Sequence, residues 1–198
     1  MNTLDGNTTG AVNAATITAF SGTAATLNTA YASSGISGLG NEAVTISDTS
    51  LATTVLNTLD GNTTGAVNAA TVTTLTGTAA TANTAYASSG ISGLGNEAVT
   101  LTDTAGVALT LHTLDSNTTG SVNASTVTSV TGVSPTVITI YNSNGITGLG
   151  NEAITLTGNT TVSNTNTVAA LTSGVVTATI SEGDMSTLAG LTETGNAY

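Results

Sequence analysis

The sequence predicts a right-handed parallel β-solenoid with short helical segments on the return path, and an all-β parallel β-helix is the alternative. Three observations lead to this fold class. The sequence repeats at a fixed period, its apolar spacing switches between strand-like and helix-like within each repeat, and its side chains are small. Apolar residues make up 39% of the chain but aromatic residues only 3%, so we expect a thin, closely spaced core.

Two motifs define the period. The stretch GNEAVT, or GNEAIT in its last copy, begins at Gly40, Gly95 and Gly150, and LDGNTTG or LDSNTTG begins at Leu4, Leu59 and Leu114. Both motifs recur at the same constant interval, and a fixed period of about 55 residues predicts a repeat array. We expect a single array of four copies, near 1–55, 56–110 and 111–165 with a degenerate 166–198, that is part of a longer chain or of an end-to-end polymer.

Each repeat divides into two related halves. Similar segments open at Asp48, Gly77 and Asp103, so the step from one to the next is close to half the period. A unit of about 27 residues is the size of one coil in leucine-rich-repeat-like proteins. We therefore expect two coils in each repeat.

Strand-like and helix-like spacings follow one another within a half-repeat. Residues 44–47, 99–102 and 154–157 alternate apolar and polar side chains, which predicts strands with one buried face. Ala52, Leu56 and Leu59 then fall at helical spacing. In VNAATVT at 67–73 one extra residue interrupts the apolar–polar alternation, which predicts a bulge or corner.

Capping residues suggest where the helical segments begin and end. Ser50, Thr78 and Ser134 stand at N-cap positions, and Pro135 follows in the first turn, where its missing N–H is harmless. Gly90 and Gly145 are placed to end the segments as C′ glycines.

Charge and composition exclude several classes of function. The 198 residues contain 11 acids and neither Lys nor Arg, so we expect no nucleic-acid partner. The chain has no Cys and one His, His112, and no acidic cluster stands apart from the repeat, so we expect no enzyme. It has no apolar run of membrane-spanning length and no leader, so we expect no membrane insertion.

The LDGNTTG motif raises a calcium hypothesis, because its acid, amide and glycine are spaced like the first half of a calcium loop. Thr16, Thr71 and Thr126 occupy the twelfth position, where such loops carry a bidentate Glu. An Asx-type turn leading into a strand is the simpler interpretation. If Ca²⁺ binds, the predicted ligands are Asp5 and Asn7, Asp60 and Asn62, and Asp115 and Asn117.

Other polar residues recur in columns. Glu42, Glu97 and Glu152 form one acidic column, and Asp48 and Asp103 form another that ends at Gly158. Both are expected to be like-charge ladders about 10 Å in spacing, tolerable without a cation although divalent ions could bind weakly between them. A third column, Asn2, Asn28, Asn57 and Asn83 with His112, predicts an amide ladder that bonds backbone groups.

Thr-x-Thr pairs suggest an alternative role. Pairs at 16–18, 71–73, 100–102, 126–128 and 155–157 would present ranks of hydroxyls and methyls, as in ice-binding solenoids. The simpler explanation is that outward strand positions favour Thr.

Taken in order, TGxVxA, GTAA, an Asn-centred short helix, SSGIxGLGNEAVT and a following D-T resemble the tandem repeats of giant cell-surface proteins of marine cyanobacteria, including the type associated with swimming motility. The resemblance covers nearly the whole chain and implies an extracellular, surface-attached structural role. The sequence thus predicts a structural repeat protein of an extracellular filament, surface layer or cell-surface appendage that assembles with itself. The alternative is an ice- or surface-binding adhesin module.

Overall fold

The computed structural model describes residues 1–192 and 195–198. Within them, helices alternate with short strands that pair only in parallel. The helices are α1 Asn2–Gly6, α2 Ala24–Ala32, α3 Thr53–Asn62, α4 Ala79–Ala87, α5 Ala108–Asn117, α6 Ser134–Tyr141, α7 Val162–Ala169 and α8 Met185–Leu188. The strands are β1 Val12–Asn13, β2 Ala19–Gly22, β3 Ile36–Ser37, β4 Ala43–Ile46, β5 Ser50–Ala52, β6 Val67–Asn68, β7 Thr74–Gly77, β8 Ile91–Ser92, β9 Ala98–Leu101, β10 Ala105–Val107, β11 Val122–Asn123, β12 Ser129–Gly132, β13 Ile146–Thr147, β14 Ala153–Thr160 and β15 Val176–Ile180.

These elements form an α/β fold, so the predicted right-handed β-solenoid and the alternative β-helix are both wrong. The strands make four open, all-parallel sheets, ordered β1-β3, β2-β4-β6-β8, β13-β11-β9-β7-β5 and β10-β12-β14-β15. No sheet of the described chain closes or runs through every unit. The helical segments are α-helices of up to 10 residues that pack as a layer, each against the next from α1 to α7.

The sheets are separate because paired strands are fewer residues apart in the sequence than successive helices are on average. Phe20 pairs with Val44 and Val44 with Val67, so two steps across the sheet lead from position 20 to position 67. Over the same two units the helix start moves further along the chain, from Ala24 to Ala79. Each successive strand of a sheet is therefore displaced relative to the helix of its unit, and a new sheet begins at a later helix.

Threonine caps explain where three of the described helices begin. The predicted N-cap Thr78 is confirmed, since its hydroxyl accepts the Thr81 N–H at 3.1 Å, and Thr23 and Thr161 cap α2 and α7 in the same way. The other two predicted caps are misplaced. Ser50 begins strand β5, and Ser134 is already the first residue of α6.

The predicted corner within residues 67–73 is confirmed. Strand β6 stops at Asn68 and β7 starts at Thr74, and between them the Val72 N–H donates to the Ala69 carbonyl at 2.9 Å. The neighbouring unit packs closely here. Gly93 has φ +85°, and a Cβ on it would lie 2.7 Å from the Ala70 nitrogen, so glycine is required.

The main core cluster of buried side chains runs from Ala24 to Ala178, with Leu56, Leu59 and Leu75 among its fully buried members, and a smaller cluster contains Ala14 and Ile36. Small residues allow close approach of neighbouring units at particular points. A Cβ on Gly132 would lie 2.6 Å from that of Ala108, which is 0% exposed. The expected core of small side chains is only partly found, because most of the buried apolar residues are Leu, Val or Ile.

Candidate functional site

The LDGNTTG motif lies mainly at the end of a helix. Helix α3 continues through Leu59 and Asp60 to Asn62, and α5 ends at Asn117 in the same way. The interpretation of the motif as an Asx-type turn leading into a strand is therefore wrong, because Asp60 and Asp115 lie within helices. On a helix, side chains two positions apart point in different directions, unlike the alternating ligands of a calcium loop.

The predicted calcium ligands have separate partners. The Asp60 carboxylate accepts the Ser88 hydroxyl at 2.7 Å, whereas the Asn62 amide donates to the Asn28 side-chain oxygen at 3.0 Å. Asp115 and Asn117 repeat this arrangement with Ser143 and Asn83, and Asp5 accepts the hydroxyl of Ser33 while Asn7 is exposed at the end of α1. The described residues contain no group of three or more His, Cys, Asp or Glu able to hold a metal. The calcium hypothesis stays a prediction, and a calcium-dependent shift in melting temperature at fixed ionic strength tests it.

The glycines two positions after these serines let the aspartate carboxylates lie close to the backbone. A Cβ on Gly90 or Gly145 would overlap the carboxylate of Asp60 or Asp115. Neither glycine has a left-handed φ, so the prediction that they act as C′ glycines is wrong. Each Asp–Ser–Gly contact joins the end of one helix to the corner that follows the next helix.

The second aspartate column caps helices from a neighbouring unit. Asp48 accepts the N–H of Ala24, the first residue of α2, at 2.7 Å, and Asp103 accepts the N–H of Ala79 in α4 at the same distance. A carboxylate at a helix N-terminus satisfies an unpaired donor and interacts favourably with the helix dipole. The column therefore caps helices, and its expected spacing as a like-charge ladder stays a prediction.

The glutamate column is buried, which corrects the expectation of a like-charge ladder that ions could reach. Glu42, Glu97 and Glu152 are each 0% exposed. The Glu97 carboxylate accepts the Tyr86 hydroxyl at 2.9 Å and the backbone N–H of Gly95 at 2.8 Å. The other two glutamates repeat this contact with the tyrosine at the equivalent position of their own repeat, Tyr31 and Tyr141.

The alternation of inward and outward positions along the strand indicates that these glutamates are buried. Glu42, Val44 and Ile46 occupy every second position, and all three point inward. A Tyr also precedes each Glu at a constant separation, at 31, 86 and 141. Where the degenerate copy has Ala197 after Gly195-Asn196, the position equivalent to the tyrosine is Ser186, so both partners change together.

Hydrogen bonding decides the ionisation of this pair. Burial alone would raise the pKa of Glu42, but donation from backbone N–H groups, Gly40 foremost, and from the Tyr31 hydroxyl lowers it below its usual value of 4.5. Burial and the bond to Glu42 raise the pKa of Tyr31 to about 12. The pair therefore holds an ionised carboxylate and a neutral phenol at neutral pH.

Every acidic residue that the structure describes accepts at least one hydrogen bond. The donors are backbone N–H groups and hydroxyls, since the chain has no Lys or Arg. The acceptors are Asp5, Glu42, Asp48, Asp60, Glu97, Asp103, Asp115, Glu152, Glu182 and Asp184. The acids act as structural acceptors, some of which join neighbouring units, such as Asp48 and Asp60, while the glutamates that bond tyrosines act within their own unit.

The predicted amide ladder is confirmed, although it lies between helices. Asn28 donates to the Val55 carbonyl at 3.0 Å, Asn57 to Thr81 at 2.9 Å and Asn83 to Thr110 at 3.0 Å. His112 replaces Asn57 in the next repeat, and its side chain forms no hydrogen bond within the described residues. The ladder is therefore interrupted between α5 and α6.

The Thr-x-Thr pairs fall into two groups, and those at 100–102 and 155–157 begin on strands β9 and β14. Those at 16–18, 71–73 and 126–128 lie in turns, where Thr71, for example, donates to the Ile46 and Asp48 carbonyls. The strand threonines Thr131, Thr155 and Thr177 stand in register on adjacent strands, with all three exposed.

Comparison with known proteins finds no significant match to any family, characterised protein or solved structure. The resemblance to cyanobacterial surface repeats therefore stays a prediction. None of the helices in the described part of the chain is long and apolar enough to cross a membrane.

Proposed function

We propose that the chain is a structural repeat protein of an extracellular filament, surface layer or cell-surface appendage. Its partners are further copies of itself or neighbouring repeats of a longer chain. The observation that carries the proposal is the unpaired edge of strand β2. Strand β2 pairs only with β4 among the described strands, so its other edge is free to accept a strand.

The molecule itself contains one example of a segment that pairs with the edge of a sheet. The segment at 195–198 joins the edge of β15, where the Ala178 N–H donates to the Ala197 carbonyl at 2.8 Å and Ala197 donates back to Val176 at 2.9 Å. A neighbouring chain can add to β2 by the same parallel bonding. Such contacts need no cation, which suits a chain without Lys or Arg.

The side-chain contacts support a mechanical role. The Asp–Ser, Glu–Tyr and Asn–carbonyl bonds recur along the array, and the Asp–Ser and Asn–carbonyl bonds join one unit to the next. Between two neighbouring units, load applied along the array would be carried jointly by these side-chain bonds and by the strand pairing. Absence of Lys and Arg also removes cleavage sites for trypsin-like proteases.

Negative-stain microscopy and light scattering over a range of concentrations test assembly. Ser21→Lys puts a charge on edge strand β2, while the control Thr100→Lys puts the same charge on the outward face of β9, which is paired on both sides. We expect filaments or sheets from the wild type and from the control, and loss of assembly in Ser21→Lys. A wild type that stays monomeric at every concentration contradicts the proposal.

The second candidate is an ice- or surface-binding module, favoured by the aligned row of Thr131, Thr155 and Thr177. Replacing Thr155 by Lys would interrupt the row. We expect this variant to lose activity in an ice-recrystallisation assay if the candidate is correct, and an inactive wild type removes it.

A further inference from the structure

The corner after helix α6 contains Asn144–Gly145, the only Asn–Gly pair in the sequence. Asn144 is exposed. The matching corners of the two earlier repeats have Ser34–Gly35 and Ser89–Gly90. The corner therefore folds without an asparagine, and Asn144 adds a reactive side-chain amide that the other corners lack.

A short chain of hydrogen bonds ends on the backbone nitrogen next to this amide. The Gly145 N–H donates to the Ser143 hydroxyl oxygen at 3.0 Å, and the Ser143 hydroxyl donates to the Asp115 carboxylate at 2.7 Å. Both distances lie within the range expected for proton transfer between a base and its target. The nitrogen is thus connected to a carboxylate through one hydroxyl.

We propose that Asn144 is a site of spontaneous deamidation promoted by this hydrogen-bond chain. The Gly145 nitrogen attacks the side-chain carbonyl carbon of Asn144, and its proton passes to Ser143 as the Ser143 proton moves to Asp115. The new carbon–nitrogen bond closes a succinimide ring. The bond to the side-chain nitrogen breaks, and ammonia leaves with the proton returned from Asp115. One water then opens the ring to aspartate or isoaspartate.

Ser143 contacts the reacting nitrogen, and Asp115 acts through Ser143 as a positioning residue. The same chain exists at the preceding corner, where Gly90 donates to Ser88 at 3.0 Å and Ser88 donates to Asp60 at 2.7 Å. Ser89 has no amide carbon to attack, so no reaction follows there. The product at residue 144 adds a carboxylate close to Asp115, whose oxygen already lies against Gly145.

Incubation of the full chain at neutral pH, followed by peptic digestion and mass spectrometry, tests the proposal. Pepsin is needed because the chain has no site for trypsin. We expect the amide-to-acid mass change at residue 144 in the wild type and none there in Asn144→Ser. Ser143→Ala should slow the change by on the order of tenfold or more, and Ser143→Thr, which keeps the hydroxyl, should restore it.

Matched variants separate this chemistry from loss of structure. Ser88→Ala and Asp60→Asn remove the equivalent bonds in the preceding repeat and should leave the rate at Asn144 unchanged. Asp115→Asn should slow it while circular dichroism stays native. The wild type provides a further comparison, because the folded chain should react faster than the same chain in urea. Equal rates in Ser143→Ala and the wild type, or a faster rate in urea, overturn the proposal.

Discussion

Replacing Glu97 by alanine should strongly destabilise the fold. Glu97 is 0% exposed, and its carboxylate accepts the Tyr86 hydroxyl at 2.9 Å, the Gly95 N–H at 2.8 Å and the Asn96 N–H at 3.2 Å. Truncation leaves these three donors without their acceptor. A buried donor without a partner costs about 1–3 kcal/mol, and these donors cost less each because Tyr86 and Gly95 are only partly buried and Asn96 is exposed to water.

One opposing effect reduces the expected loss. The second carboxylate oxygen of Glu97, Oε1, is buried and has no hydrogen-bond partner in the described chain, so burying it already costs free energy that alanine would recover. Loss of three acceptor contacts outweighs recovery from one oxygen. We expect a net decrease of about 2–4 kcal/mol in the free energy of unfolding, a large share of the roughly 5–15 kcal/mol typical of a folded domain.

Urea unfolding followed by circular dichroism measures this change. The control Thr100→Ala, at an exposed position on the following strand, should change the unfolding free energy by less than about 0.5 kcal/mol. Tyr86→Phe should cost about 1–2 kcal/mol, and adding it to Glu97→Ala should cost less than the sum, because the hydroxyl has already lost its acceptor. A Glu97→Ala chain within about 1 kcal/mol of wild type would refute the reasoning.

Three further outcomes follow from the same contacts. The folded-state pKa of Glu42 is below its usual 4.5, so Glu42 stabilises the fold above pH 4.5, and this stabilisation is lost as the pH falls through the folded pKa. The pKa of Tyr31 is raised to about 12, so the stabilisation from Tyr31 is lost as the pH rises from 10 through that value. Unfolding free energies measured across pH should show both losses, and Glu42→Gln should flatten the acid one. Asp103→Ala should cost about 1 kcal/mol by uncapping α4, and unchanged urea unfolding would exclude the capping role. His112→Asn should restore the amide ladder and stabilise the fold by about 0.5–1.5 kcal/mol, which thermal unfolding can contradict by showing no increase in melting temperature.

The spacing of units could be predicted from the sequence, but the pairing of strands could not. Helix starts at Ala24, Thr53, Ala79 and Ala108 follow the predicted spacing of half-repeats. A repeat period constrains only the distance between equivalent positions. It does not say that Val44 pairs with Phe20 on one side and Val67 on the other. The number of residues between paired strand positions is smaller than the average number between successive helix starts. Because of this smaller offset, the strands are divided among four open sheets.

The acidic residues show why charge was a poor guide to position. Glu42 was expected to form a like-charge ladder because Glu recurs at equivalent positions of the repeats, yet it is buried at the same inward-facing strand positions as Val44 and Ile46. In a chain without Lys and Arg, carboxylates have only hydroxyls and N–H groups as strong partners, and a repeat supplies these at constant distances along the sequence. Once one carboxylate finds such donors, the copies that keep the acid repeat the contact. The acids that the structure describes are therefore engaged in hydrogen bonds within the fold, and the acidic composition alone is no evidence of an acidic binding surface.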